Sequence, residues 1–271
     1  VLSKNFLFGS KDAHQYTTRQ VHDIDANQSG WTALCDALPA SPVEELDVAD
    51  VGMGVTGVTS LAKAISSMAV LARVSVLSNP IGVDGADALI QVFEQNTNLR
   101  TLLGIEEGVT ELNLSKKNVD LGQAKILAAE LKASRATAAL ASLTVDSTGV
   151  PARYSRVPAG PWTYTLTVAD TTIDLSQKNL SPADVTLLAV WIQRPEVSAV
   201  LNSLILDHNG IFGEVWRNMD YQGGCDADSF SSQCDAILQA VKTSNVMHLS
   251  LQHTGMGPVT CQKLATSLAG L

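Results

Sequence analysis

The chain is short of positive charge, of paired cysteines and of long apolar runs, and each shortage removes a class of function. Eighteen Lys and Arg stand against 27 Asp and Glu, a net charge of −9, with no basic run anywhere. Phosphate backbones are bound by clustered Lys and Arg that release counterions, so no nucleic-acid partner is expected. A protein partner of basic character is the natural complement. No window approaches the roughly 18 consecutive apolar residues of a membrane helix, and the opening VLSKNFLF is too short for a secretory signal core. No membrane span is expected. The sequence starts at Val1 and stops inside the helical pattern LATSLAGL, so a processed or partial chain is expected, with any targeting segment outside it and the compartment open.

Chemistry has little to stand on. The four cysteines include no CxxC pair, and the five histidines, His14, His22, His208, His248 and His253, show no ligand spacing. Absent too are a GxSxG elbow, a glycine-rich phosphate loop with its Lys, and an HExxH helix. The expectation is a non-enzymatic protein with no cofactor and no metal. What is present is a folded core: 271 residues, 45% of them hydrophobic and only 17% charged, exclude a disordered chain.

Internal repetition is the strongest positive signal. VEELDVADVGMGVTGVTSLAKAI begins at Val43, and LARVSVLSNPIGVDGADALIQVF begins 28 residues later at Leu71. Leu46, Val48, Gly57, Leu61 and Ile65 then fall on Val74, Val76, Gly85, Leu89 and Phe93. The same frame returns from Val109, Leu140, Thr171, Leu201 and Val246, and WTALCDAL from Trp31 is an earlier helix half. Within each unit an alternating segment such as ELNL buries every second residue, the period of a strand. Asn79 and Asn209 follow where a turn must close, because a short amide side chain can bond free backbone groups. A segment with helical spacing comes next, as in Ile126, Leu127 and Leu131. One strand and one helix cannot bury their own apolar faces, so neighbouring units must stack.

On these residues the pattern resembles leucine-rich repeats of the ribonuclease-inhibitor type, the arrays also found in NOD-like receptors. LxxVxVxxNxIGxxGAxAL, read from Leu71, carries the likeness, which extends over residues 31–271. The resemblance implies an α/β leucine-rich-repeat solenoid, a curved parallel sheet on the concave side and helices on the convex side; residues 1–30 precede it as an N-terminal extension or an irregular segment. It also implies protein recognition on the concave face. Lys117, Thr148 and Thr254 depart from the corner Asn, and LRTLLGIEEG from Leu99 leaves no room for a helix before Val109.

Two insertions interrupt the repeats, at residues 151–170 and 214–234. The first contains Tyr154, Trp162 and an alternating TYTLTV, which reads either as a hairpin closing an irregular joint or as an aromatic binding loop. The second combines Trp216, Arg217 and Tyr221, residue types that dominate interface hot spots. Cys225 and Cys234 in that loop suit a disulfide in an oxidising compartment and two free thiols otherwise. Cys35 and Cys261 read as small core residues. Asp226 to Ser229, DADS, is a poor match to a calcium loop.

If Leu46 and Val48 point inward, their strand neighbours point out. The outward set, with residues just past the strands, includes Glu45, Asp47, Arg73, Glu111, Asn113, Asp146, Asp174, Asp207 and His248. These form the expected partner-binding face, richer in acid than in base, which would speed association with a basic protein. The function expected is an interaction scaffold or a structural subunit of a multi-subunit complex. A GTPase-activating regulator, or the ligand-sensing region of an immune-type receptor, is the alternative.

Overall fold

The computed structural model describes residues 1–5, 7–8, 11–15, 18–22, 24–149, 162–215, 225–233 and 235–269. The chain divides into two units, Val1–Val109 with Lys117–Ala139, and Thr110–Lys116 with Leu140–Leu271.

The first unit contains β1 (Lys11–Gln15), β2 (Thr18–His22), α1 (Ser29–Ala37), β3 (Glu45–Asp47), α2 (Val55–Ile65), β4 (Arg73–Ser75), α3 (Gly82–Gln95) and α4 (Leu121–Ala133). β1 and β2 pair antiparallel, whereas β3 and β4 pair parallel with Leu46 opposite Val74. Strand alternation buries Leu46, Val48, Val74 and Val76, and helical spacing buries Val58, Leu61 and Ile65 of α2 with Ala86, Leu89 and Phe93 of α3. Each fully buried Leu or Ile stabilises the fold by about 2 kcal/mol. Residues before α1 share this core. The Phe8 ring lies 5.1 Å from that of Trp31, and the amides of Leu2 and Lys4 donate to Asp47 and Ala49 along the outer edge of β3.

The second unit contains β5 (Glu111–Asn113), β6 (Ser142–Asp146), β7 (Thr163–Thr167), β8 (Thr172–Asp174), α5 (Pro182–Ile192), α6 (Pro195–Ser198), β9 (Ser203–Ile205), β10 (Glu214–Val215), β11 (Cys225–Asp226), α7 (Asp235–Thr243), β12 (His248–Ser250) and α8 (Pro258–Leu268). β8, β9 and β12 form one parallel sheet, and β5 pairs parallel with β6.

Buried amides close the corners. Asn79 Nδ2 donates to the carbonyls of Val48, Val76 and Leu77, and its Oδ1 accepts from the amides of Val51 and Met53. Asn209 repeats the device, donating to Leu175, Leu206 and Asp207 and accepting from Leu180. At 1% exposure each, both satisfy backbone groups that would otherwise be buried without partners.

An aspartate in the left-handed region performs a second, longer-range job. Asp25 (φ 56°) accepts from the amides of Gly54, Thr56 and Gly57, capping the start of α2 from outside that helix. Asp228 (φ 65°) accepts from Gly257, Val259 and Thr260 and caps α8 in the same way. A Cβ on Gly54 would fall 2.6 Å from the Asp25 carboxylate, and one on Gly257 would collide with that of Asp228. Glycine is therefore required where the carboxylate sits. Between the capped amides lies Val55 in one copy and Pro258 in the other, the one position whose N–H the aspartate does not use.

The expected solenoid with its continuous curved parallel sheet is not formed. Among the described residues the strands fall into five small sheets of two or three strands, and parallel pairing occurs in three of them. Two local causes are visible. Beside β4, residues 99–105 make only isolated bridges, because the amides of Leu102 and Leu103 donate to the buried Glu130 carboxylate and those of Leu103 and Ile105 to Thr101 Oγ1. With its amides turned to side chains, this segment cannot pass the ladder on. In the second unit the free edge of β6 is taken by β7, which runs antiparallel with Leu143 opposite Leu166, so parallel growth stops there.

Candidate functional site

The outward side chains of the short parallel strands are the candidate surface, and register fixes which of them are neighbours. Glu45 stands opposite Arg73 and Asp47 opposite Ser75 in the first unit. In the second, Glu111 pairs with Ser142 and Asn113 with Thr144, while Thr172, Ser203 and His248 form one row and Asp174, Ile205 and Ser250 the next. The nine expected residues thus lie on several small strand faces and not on one concave ladder.

Hydrogen bonding sorts them further. Asp47 Oδ1 accepts from Ala49 N at 3.0 Å, Asn113 Oδ1 from Ser115 N at 2.9 Å, and Asp174 Oδ1 from Ser176 N at 2.9 Å. Each bond spans two residues, the pattern by which Asp and Asn close a turn on their own backbone. The hydroxyl and then the amide of Ser176 hold the Asp174 carboxyl below the ordinary range. Asp146 accepts from Lys116 N at 2.6 Å and Thr163 Oγ1 at 2.5 Å. Asp207 accepts from Ser250 Oγ and Gln252 N, both at 2.8 Å. Arg73 donates to Gly104 O at 2.7 Å and lies 3.7 Å from Glu106. Most of the charge expected to face a partner is therefore engaged in hydrogen bonds within the protein. Glu45, Glu111 and His248 are exposed and have no side-chain partner among the described residues. A hydroxyl layer accompanies them, with Thr144 and Thr165 hydrogen-bonded at 2.8 Å across β6 and β7.

From the insertions, Trp162 is 37% exposed next to β7, whose Tyr164 and Leu166 are buried. Tyr154, Trp216, Arg217, Tyr221 and Cys234 lie outside the described residues, and only the backbone of Cys225 is described, so the Cys225 and Cys234 pairing lies outside them too. Cys35 is buried, and burial pushes its thiol up to about 11, leaving it protonated and inert. Cys261, expected in the core, is exposed on α8.

Two buried acids escaped the sequence reading. Glu130, 1% exposed on α4, accepts from Thr101 Oγ1 and from the amides of Leu102 and Leu103; desolvation raises its carboxyl to about 7 against those bonds. Asp184, also 1% exposed, accepts from Ser181 N, from the amide and hydroxyl of Thr148 and from the Tyr164 hydroxyl at 3.1 Å. Desolvation raises it, and burial beside it lifts Tyr164 well above its usual value. Ser181 and Asp184 form a capping box for α5, a signature the SPAD tetrapeptide carries openly. Glu130 left only a fainter trace, an acid three residues after Leu127 on an apolar helix face. Both acids are wrapped by groups of their own unit and present no oxygen to solvent. They organise backbone and are not placed to meet a substrate.

His208 and His253, at turn positions with φ of 58° and 51°, stack with ring centroids 4.8 Å apart and planes inclined by 18°. Among the described residues no three His, Cys, Asp or Glu side chains are grouped to hold a metal ion, and no helix is long and apolar enough to cross a membrane. No protein-family model matches the chain, and no curated protein matches it. The likeness to leucine-rich repeats rests on the residues quoted for it alone.

Proposed function

We propose that this chain is a non-enzymatic interaction scaffold that recognises a protein of basic character through its exposed strand faces. The observation that carries the reading is the contrast just described: the buried acids are enclosed by backbone donors, whereas Glu45 and Glu111 project from strands with no side-chain partner among the described residues. Carboxylates carried on strands suit charge-steered recognition, because the backbone that presents them is already ordered before binding. The net charge of −9 extends the same attraction beyond contact distance. Trp162 supplies an aromatic anchor next to β7 in the second unit, and Tyr154, Trp216, Arg217 and Tyr221 belong to the same proposal by residue type.

The test is a cross-linking pull-down comparing the native chain with a Glu45→Lys, Glu111→Lys variant shown by circular dichroism to be folded. The reading expects a partner captured by the native chain, released as salt rises, and lost by the variant. A partner held equally by both would sink it.

A further inference from the structure

The carboxyl of Glu130 is buried where no positive charge meets it. Its Oε1 accepts from the amides of Leu102 and Leu103, whereas among the described residues Oε2 meets only the Thr101 hydroxyl, at 3.1 Å. The charged groups on the elements packed around it are turned elsewhere. Asp87 of α3 pairs with Lys125 of α4, Arg100 with Glu107, and Arg73 of β4 with Glu106. Asp120 accepts from Gly82 N and Gln123 N, Arg135 donates to the carbonyls of Phe93, Asn96 and Leu99, and Asp84, Glu94 and Lys132 are exposed. An ionised Glu130 is therefore countered by two amides and one hydroxyl, and burial outweighs them. The segment it holds also covers β4: the amides of Val74 and Val76 donate to the carbonyls of Thr101 and Leu102, and Leu99, Leu102, Leu103 and Ile105 are at most 4% exposed.

We propose that residues 99–105 form a proton-operated strap, closed over β4 while Glu130 carries a proton and opened more readily once that proton leaves. The proton belongs on Oε2, since Oε1 is taken by both amides, and there it donates to Thr101 Oγ1. Only one proton fits between those two oxygens, so the bond from the Thr101 hydroxyl is reversed. An ionised carboxylate gains water only by leaving this site, and loss of the proton therefore favours the opened strap. With the strap closed the carboxyl is raised to about 7; with it open the carboxyl returns to its ordinary 4.5. The closed state thus binds the proton more tightly, and its advantage is full below about 4.5 and is lost as pH rises through about 7. Across that window the opening equilibrium should rise by up to about 300-fold. Opening bares the edge of β4 and four apolar side chains, so the device ties their exposure to pH near neutrality. This inference stands independently of the function proposed above.

Hydrogen exchange of the Leu102 and Leu103 amides across this pH range tests it, each rate being divided by its intrinsic value, together with NMR of the Glu130 side-chain carboxyl. The native chain should lose at least about ten-fold in protection as pH rises from about 4.5 to about 8. Its Glu130 carboxyl should titrate near 7, with the same midpoint as the exchange profile. Glu130→Gln keeps an acceptor for the amides and a donor toward Thr101, so its profile should be flat and its protection at the alkaline end greater than that of the native chain. A flat native profile, or a Glu130 carboxyl titrating in the ordinary range, overturns the proposal. So does a Gln variant that keeps the native pH dependence, since the protons would then come from other groups of the unit such as His14 and His22. Should the Gln variant fail to fold, the two midpoints of the native chain decide: coincidence supports the strap and disagreement overturns it.

Discussion

Residues 24–68 and 227–269 are built alike and live differently. Each has an aspartate in the left-handed region, a helix, a three-residue strand, a Gly-Met-Gly turn and a second helix whose first amides the aspartate caps. Leu61 of the first is fully buried, and its counterpart Leu264 is half open to solvent. The comparison separates two layers of folding. Caps and turns close within the unit and do not depend on neighbours, whereas burial of the same apolar residues is decided by whether a further strand and helix lie alongside.

Leu61→Ala and Leu264→Ala probe the second layer and should differ most. The first leaves a cavity and should cost about 3 kcal/mol, while the second, measured in dilute protein by urea unfolding, should cost under about 1 kcal/mol. Equal losses would mean that Leu264 is packed as tightly as Leu61. Next in size, Asp25→Ala removes three hydrogen bonds at the start of α2 and should cost about 2 kcal/mol. Asp228→Ala should expose the amides of Val259 and Thr260 to faster hydrogen exchange without disturbing those of Thr56 and Gly57.

Acid sharpens the comparison further. Desolvation tends to raise the Asp228 carboxyl, but the hydrogen bonds it accepts at the start of α8 outweigh this and set it at about 2. A carboxyl depressed in the folded state contributes stability that is full above its unfolded value of about 4 and is lost as pH falls toward 2. Protection of the Thr260 amide should therefore fade between those limits, and an unchanged profile would remove the ionised cap. The smallest effect concerns Val55, the counterpart of Pro258. Val55→Pro should be neutral or stabilise by about 0.5 kcal/mol, whereas Thr56→Pro deletes an amide that Asp25 uses and should destabilise clearly.

The strands and helices of the repeats could be read from the sequence because their cause is local. The 28-residue step that sets Leu46 on Val74 in the alignment also sets them opposite each other in the sheet. The continuity of that sheet was not legible. It fails where Glu130, distant in sequence, takes the amides of Leu102 and Leu103, and where TYTLTV closes an edge in the antiparallel sense. The strand acids were placed on the right strands, but their engagement was missed, although Asp174 two residues before Ser176 and Asn113 two before Ser115 are ordinary turn-closing spacings. The aspartate caps link residues about a helix and a strand apart. Their visible trace was the repeated Gly-Met-Gly, whose glycines make room for a carboxylate from elsewhere.

Asn209 carries a consequence for how the protein ages. It is followed by Gly210, the neighbour that most readily lets the next backbone nitrogen attack the side-chain carbonyl and expel ammonia. In the folded chain the amide is clamped by three carbonyls and cannot swing into that attack. Each excursion to the unfolded state releases it. Once converted, the side chain would set a carboxylate against the oxygens of Leu175, Leu206 and Asp207, and the corner could not close again. Deamidation at this one site would therefore accumulate as a chemical record of unfolding, turning a reversible opening into permanent loss.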